Sequence, residues 1–310
     1  MKTLISQLLS LTLLLNLTAC LVKEEPEATH SDLMVTQGDL VVTSFTSDSL
    51  VVFNQNGVFK KILYQLPNTV GDSISSIAWL PETNEILMAI DGTPDRIDAF
   101  SVVTGNVRNF YINTTYLTGT ILGITQLKNS ADVIVSEGTT TERFSSNGTR
   151  ETWTTIWPTN VQANGQQLVG LSTGNWMGCS STAGVRISPD STTNLAAVAT
   201  VTSAIAATTA AYGCGELSDG RIVVAWNGTS DALQVYNATL TNVATMFANN
   251  PAVLSDPRGL AIGDNDEIYV TDATRNMVIE IDPNTHEKVR EFGNSYLQSP
   301  RSIIVIPTIN

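Results

Sequence analysis

A strand-rich unit recurs about every 43 to 47 residues along this chain of 310 residues. Each unit begins with a first strand, continues through a polar turn and enters a strongly apolar second strand. The six first strands begin at Ile74, Ile121, Leu168, Ala211, Arg258 and Arg301. A period of this length, with four short strands in each unit, predicts the blades of a β-propeller.

The two ends of the repeat region together make one complete unit. The first strand at Arg301–Pro307 has no partners after it, whereas Gly38–Leu63 supplies second, third and fourth strands without a first one. Pairing them closes the ring, and closure removes strand edges that would otherwise act as templates for aggregation. The predicted fold is therefore all-β. It is a six-bladed β-propeller of four-stranded blades over residues 36–310, in which the C-terminal strand joins the N-terminal blade.

Alternation and turn chemistry support these strands. Apolar and polar residues alternate within Ile268–Asp272 and Met277–Ile281, as expected for strands. The segment from Thr192 to Ala211 is rich in alanine, but its β-branched residues and its place in the repeat favour an outer strand and a crossover. Three dipeptides are typical of hairpin turns: Asn56-Gly57, Asn147-Gly148 and Asp219-Gly220.

The segment from Arg258 to Gly293 carries the most specific pattern. It has a Pro-x-Gly start, the second strand Ile-Tyr-Val-Thr-Asp, a third strand ending in Ile-Asp and a Thr-x-x-Lys-Val turn. In these features it resembles the YVTN-type repeat and is similar to the NHL repeat. The resemblance implies a propeller fold and transfers no function, because propellers serve as enzymes, scaffolds and sensors alike.

The start of the chain resembles a bacterial lipoprotein signal. Lys2 precedes an apolar run that ends in Leu17-Thr18-Ala19-Cys20, and the run is too short to span a membrane. The resemblance implies a signal peptide over residues 1–19, lipidation of Cys20 and a polar tether over residues 20–35. Acyl chains on Cys20 would anchor the protein in the bacterial cell envelope. The alternative is an ordinary secretory signal.

Residues 21 and 22 refine the expected location. They are Leu and Val, where an aspartate would follow the cysteine in a retained lipoprotein, so the outer membrane is expected in a Gram-negative host.

Charge limits the partners that the sequence allows. The chain has 29 acidic and 16 basic side chains, for a net charge of −13. Nucleic acid is not an expected partner, because its binding requires a basic patch that displaces counterions. We expect a monomer that binds an envelope protein or a small polar or anionic ligand, and no cofactor.

Two cysteines remain once Cys20 is committed to lipid. Cys179 falls in the second strand of the fourth blade and Cys214 in the first strand of the fifth. In an oxidising compartment an even pair on neighbouring blades suggests a disulfide. Two buried free thiols are the alternative, because strand position alone does not fix the Cα separation that a bridge needs.

Motifs that match enzymes by their letters lack the context that catalysis needs. Residues 170–174 match G-x-S-x-G, but they fall in a predicted hairpin, and the chain has only His30 and His286. Asp264-Asn265-Asp266 lacks the glycine and glutamate of a calcium loop and is predicted to be a turn. No catalytic residue or metal ligand is predicted.

The architecture also resembles the six-bladed lactonase family, which holds calcium in its central channel. That family begins one blade with Pro-Asn-Gly-Leu-Ala, in which the asparagine is a metal ligand, whereas this chain has Arg258 at the matching position. A fixed guanidinium there disfavours a divalent cation and suits a carboxylate or phosphate. A metal-assisted, lactonase-like hydrolase with a site in the channel is therefore the alternative function.

Propeller loops between the second and third strands share one rim with the crossovers between blades, and such loops commonly carry function. The polar and aromatic residues predicted on this rim are Asp91, Asp95, Arg96, Glu137, Glu142, Trp226, Asn227, Asp231, Arg258, Asp272, Arg275 and Arg301. Seven of these are predicted to bind ligand, with Trp226 as an aromatic floor: Arg258, Arg301, Glu137, Trp226, Asn227, Asp272 and Asp91. The predicted function is a lipid-anchored, noncatalytic binding or assembly module.

Overall fold

The computed structural model describes residues 34–67, 71–112, 117, 119–138, 140–151, 165–181, 184–190, 199–201, 210–237, 239–248 and 250–307. The described strands belong to one compact unit, Met34–Asn310. The signal segment and Cys20 lie outside the described residues, so their roles stay predictions. Nowhere in the described ranges is there a helix with the length and apolarity that crossing a membrane requires.

The strands of the first three blades, in chain order, are β1 (Leu40–Ser44), β2 (Ser49–Phe53), β3 (Phe59–Gln65), β4 (Ser73–Leu80), β5 (Glu85–Asp91), β6 (Arg96–Ser101), β7 (Val107–Ile112), β8 (Ile121–Gln126), β9 (Val133–Glu137) and β10 (Thr140–Phe144). The strands that follow are β11 (Gly165–Gly170), β12 (Trp176–Ser180), β13 (Gly184–Ser188), β14 (Ala199–Val201), β15 (Ala210–Glu216), β16 (Ile222–Asn227), β17 (Ala232–Tyr236), β18 (Asn242–Met246), β19 (Pro257–Ile262), β20 (Ile268–Asp272), β21 (Met277–Ile281), β22 (Lys288–Phe292) and β23 (Pro300–Val305).

These strands form six antiparallel sheets, which confirms the predicted six-bladed propeller. Blade 1 has the strand order β23-β1-β2-β3, and blades 2, 4, 5 and 6 each contain four strands that are consecutive in the chain. Blade 3 has three described strands, β8 to β10. In blade 4, β14 confirms part of the outer strand predicted within Thr192–Ala211; residues 191–198 and 202–209 lie outside the described ranges.

Blade 1 joins the two ends of the propeller, as predicted. β23 pairs with β1 in the register Leu40↔Val305, Val41↔Ile304 and Val42↔Ile303. Beyond the paired strands, the amide of Gly38 donates to the carbonyl of Ile306 at 2.9 Å. The first and last strands therefore share one hydrogen-bond ladder, with a register shift between Val42 and Ser44.

The second strands are buried on both faces, although their alternating sequence is typical of a half-buried strand. All five residues of β20 are buried. Val270 packs in the apolar cluster with blade 5, whereas Tyr269 packs in the cluster with blade 1. The polar Thr271 is satisfied there, because its Oγ1 accepts a hydrogen bond from the amide of Gly259 at 2.7 Å. Each blade is thus sandwiched between its neighbours, and the core is divided into layers between blades.

Cys179 and Cys214 are bonded to each other in the structure. Cys179 lies on β12 and Cys214 on β15, with Cα atoms 6.1 Å apart, inside the range that a disulfide requires. Both residues are fully buried in the apolar cluster between blades 4 and 5. The disulfide therefore links neighbouring blades across their interface.

The segments that resemble catalytic or calcium motifs form turns. The amide of Leu171 donates to the carbonyl of Asn175 at 2.8 Å, which closes the first hairpin of blade 4. Ser172 on this hairpin donates through its amide and hydroxyl to the carboxylate of Glu216 in blade 5, at 2.6 and 2.8 Å. Ser218 makes the same pair of bonds to Asp266 in blade 6. These side chains connect adjacent blades on the face opposite the predicted rim.

Candidate binding site at the channel mouth

All six first strands carry a register shift at the same place. In each blade the first strand loses its regular pairing with the second strand for one or two residues near its start. A bulge of this kind redirects a side chain. The residues within the six shifts line a single small cavity on the propeller axis: Ser75, Leu122, Gln166, Tyr212, Arg258 and Arg301. We call this ring of residues the channel mouth.

Two arginines dominate the channel mouth, and each stacks on an aromatic ring. The Arg258 guanidinium lies 4.2 Å from the ring centroid of Tyr212. The Arg301 guanidinium lies 3.3 Å from that of Phe45, which follows β1 in the loop to the third strand of the same blade. Cation–π contacts of this kind hold an arginine in place without neutralising its charge.

The two cations differ in their acidic partners. Nε of Arg258 lies 2.7 Å from Oδ1 of Asp256, and Nη2 lies 3.2 Å from Oδ2. Asn227 donates to the same Asp256 carboxylate. Arg301, by contrast, forms no ion pair or side-chain hydrogen bond with any part of the chain that the structure describes.

Burial acts on the charges at the mouth. It lowers the pKa of Arg301, and the positive charge of Arg258 lowers it further, while Asp91 opposes both effects. The pKa of the Asp91 carboxyl is raised, first by burial and then by the neighbouring Asp95. The mouth is therefore a place where charge is poorly solvated, so electrostatic interactions are stronger there than at the open surface.

Two of the predicted ligand-binding carboxylates hold the backbone of the rim. Asp272, at the end of β20, is fully buried and accepts hydrogen bonds from the amides of Ser255 at 2.7 Å and Arg275 at 2.9 Å. Glu137, at the end of β9, accepts from the amide of Gly119. Both carboxylates thus fasten a crossover to the end of a second strand. Ligand binding by them stays a prediction.

The structure places Trp226 inside the propeller and not on the rim. Its side chain is 1% exposed and packs in the cluster between blades 4 and 5, because β16 turns this residue toward the blade interface. The aromatic faces at the mouth are instead those of Tyr212 and Phe45, which the sequence analysis missed. Tyr212 could have been found, because it aligns with Arg258 and Arg301 in the repeat. No feature of the repeat indicates that Phe45 lies at the channel mouth.

Most other predicted rim residues have local partners. Arg96 pairs with Asp72 at 2.8 Å and with Asp98 at 3.1 Å. Asp95 accepts a hydrogen bond from the amide of Gly92 at 2.8 Å. The remaining partners are Arg150 for Glu142, Gly228 for Asp231 and Glu291 for Arg275. These contacts order the loops and leave fewer groups for a ligand.

Among the described residues, no three His, Cys, Asp or Glu side chains lie close enough together to hold a metal ion. At the position that resembles the lactonase calcium site, Arg258 supplies a cation paired to Asp256. A guanidinium there repels a divalent ion, so the donor set at this end of the channel does not fit the calcium of the resembled family.

A second, larger cavity lies at the opposite end of the axis. Its volume is about 350 Å³, and its lining includes Ala78, Val169 and Ile304 from first strands. Gln167 also lines this cavity. Its Nε2 donates to the carbonyl of Leu260 at 2.5 Å, and its Oε1 accepts from the amide of Leu260 at 2.9 Å. Oε1 also accepts from the amide of Cys214 in blade 5 at 3.3 Å, so the side chain runs from blade 4 past blade 5 to blade 6.

Replacement of Asp272 by alanine is expected to lower the free energy of unfolding by about 1–3 kcal/mol, because two amides lose their acceptor. Asp264→Ala in the same blade is the control, since Asp264 is exposed and its removal should change stability by less than about 0.5 kcal/mol. Urea unfolding followed by tryptophan fluorescence measures both variants. Equal stability of the two variants would contradict the backbone-holding role of Asp272.

Comparisons with known proteins agree with the fold. The NHL repeat family matches residues 254–279, which cover the first two strands of blade 6 and the start of its third. No curated protein matches the chain. The matched segment and the ring of six sheets define a β-propeller with an NHL-type repeat.

Three solved structures illustrate the range of proteins that share this architecture. A chain in the crystal structure of a nidogen/laminin complex aligns with a TM-score of 0.71 and 14% identity, covering 87% of this chain and 99% of that one. A protein of unknown function from Bacteroides caccae aligns with a TM-score of 0.63 and 15% identity, covering 87% and 98%. A streptogramin B lyase aligns with a TM-score of 0.60 and 14% identity, covering 88% and 89%. At these identities the likeness shows the fold alone.

Proposed function

We propose that this propeller is a noncatalytic binding or assembly module of the bacterial cell envelope, anchored by lipid on Cys20, and that its partner binds over the channel mouth. The observation that carries the proposal is the pair of arginines, Arg258 and Arg301, each stacked on an aromatic ring. Arginine and aromatic side chains are enriched where proteins bind partners, because they combine apolar area with directed hydrogen bonds.

The described chemistry of the mouth supports binding more than catalysis. A general acid or base needs a titratable group within reach of a substrate. Here the rim carboxylates Asp272, Glu137 and Asp256 are engaged by backbone amides or by Arg258. The nidogen/laminin structure, described as a complex, gives a fold-level analogy for protein binding.

An enzyme is the second candidate, because a streptogramin B lyase shares the fold. The form of this alternative that the sequence suggested is a metal-assisted hydrolase with its site in the channel. It requires a divalent cation near Arg258, so calcium binding separates the two candidates.

Calorimetry with calcium on the full-length protein in detergent is expected to give no stoichiometric binding. Affinity capture from an envelope extract, performed in parallel, is expected to give a partner that Arg258→Asn weakens at least tenfold, because the substitution removes a cation at the mouth. Arg221→Asn is the matched control, since Arg221 lies in the first hairpin of blade 5 on the opposite face and pairs with Asp219.

Tight binding of one calcium ion by the wild-type protein would overturn the noncatalytic proposal and favour the hydrolase. Equal weakening by Arg258→Asn and Arg221→Asn would mean that the channel mouth is not the partner face.

A further inference from the structure

We infer that the channel mouth binds one carboxylate group and that Arg301 is the residue that pairs with it. The inference rests on the proposed function and deepens it, since it names the chemical group that a partner inserts. Arg258 and Tyr212 form the adjoining wall, and Phe45 supports Arg301 from the rim side.

Arg301 is singled out by what surrounds it. Arg258 already shares the Asp256 carboxylate, whereas Arg301 contacts an aromatic face and forms no ion pair within the described ranges. Arg301 is half-buried. A cation withdrawn from water is unfavourable unless a counterion or hydrogen-bond acceptors compensate it, so the site is complete only when an anion is present.

The charge around Arg301 points to an external anion. Asp91 is near enough to act on Arg301 electrostatically, yet it makes no ion pair with it. Burial and Asp95 both disfavour the charged form of Asp91 and raise its pKa. Asp91 is therefore a weak internal counterion and, when it is charged, a repulsive neighbour for any anion that enters.

Size favours a carboxylate over a phosphate. The cavity enclosed by the six mouth residues has a volume of about 20 Å³. A water molecule needs roughly 10–15 Å³ on this measure, so the cavity has room for one or two water-sized groups, and a planar carboxylate is smaller than a tetrahedral phosphate. The planar fork of a guanidinium matches two carboxylate oxygens through parallel hydrogen bonds.

The test uses full-length protein labelled with ¹⁵N-arginine in detergent micelles, with the side-chain Nε–Hε signals as the readout. Sodium acetate replaces sodium chloride at constant ionic strength, and the signal absent from Arg301→Gln identifies Arg301. We expect acetate to shift this signal saturably, with a dissociation constant on the order of millimolar, while inorganic phosphate shifts it at least tenfold less efficiently.

Three variants make the result specific. Arg301→Gln should abolish saturable acetate binding, monitored on the Arg258 signal. Asp91→Asn should bind acetate several-fold more tightly, because a like charge beside the anion is removed. Arg221→Gln, on the opposite face, should bind as the wild type does. A short peptide with a single glutamate then distinguishes the two sources of the carboxylate. Tighter binding than acetate indicates a protein side chain, and weaker binding indicates a free acid.

Several outcomes would overturn the inference. These are an acetate titration indistinguishable from chloride, tighter binding of phosphate than of acetate, or unchanged acetate binding by Arg301→Gln. Failure of the inference is separable from failure of the proposed function. If the wild type captures an envelope partner over the mouth but binds no acetate, the carboxylate assignment fails alone. If acetate binds through Arg301 but no partner is captured at this face, the module proposal fails alone.

Discussion

Deletion of residues 301–310 is expected to abolish cooperative folding of the propeller. The deletion removes nearly all of β23, the innermost strand of blade 1, and with it the pairing to β1. It also removes the fully buried side chains of Ile303 and Ile306. Loss of a buried isoleucine costs about 2–5 kcal/mol each, and two exposed strand edges add to this. The total approaches the whole stability of an ordinary domain, about 5–15 kcal/mol.

Differential scanning calorimetry of the purified protein measures the effect. The control is deletion of residues 308–310, which leaves β23 intact and should keep a single sharp transition. If the longer deletion melted within a few degrees of the full chain, closure of the ring by a shared blade would not be what holds the propeller together.

Reduction of the Cys179–Cys214 disulfide is expected to lower the free energy of unfolding by about 4 kcal/mol. The bond closes a loop with a sequence separation of 35 residues, and the chain-entropy treatment gives this magnitude for a loop of that length. Comparing oxidised and reduced wild-type protein in guanidinium leaves the amino-acid sequence unchanged, so no side chain is truncated when the cross-link is removed.

A double variant, Cys179→Ala with Cys214→Ala, is the control and should be insensitive to reductant. Intact-mass analysis after alkylation without reductant shows whether the bond forms in protein exported to the periplasm. Two alkylated cysteines, or equal midpoints with and without reductant, would refute the stabilising cross-link.

The fold could be predicted from the sequence because it is repetitive. A period, an alternation and a few Asn-Gly or Asp-Gly turns locate every first strand to within three residues of its observed start, including Arg301, whose strand completes the ring. Such patterns are local in the chain and recur, so each blade supports the interpretation of the others.

The candidate site could be predicted only in part, because side-chain direction depends on features that the pattern does not carry. Arg258 and Arg301 reach the channel because bulges re-aim them, and a bulge changes which face a residue occupies. The same uncertainty misplaced Trp226, which lies within a blade interface. Phe45 follows β1, and no sequence feature of the repeat marks its position. Its importance arises only from its contact with Arg301.

The Gln167 side chain has a consequence for how neighbouring blades are held together. Its amide is bonded to the backbone of Leu260 two blades away, and its Oε1 also accepts from the amide of Cys214 in blade 5. One side chain therefore joins blades 4, 5 and 6, close to the disulfide between blades 4 and 5. A substitution at residue 167 alters the contacts of three blades at once.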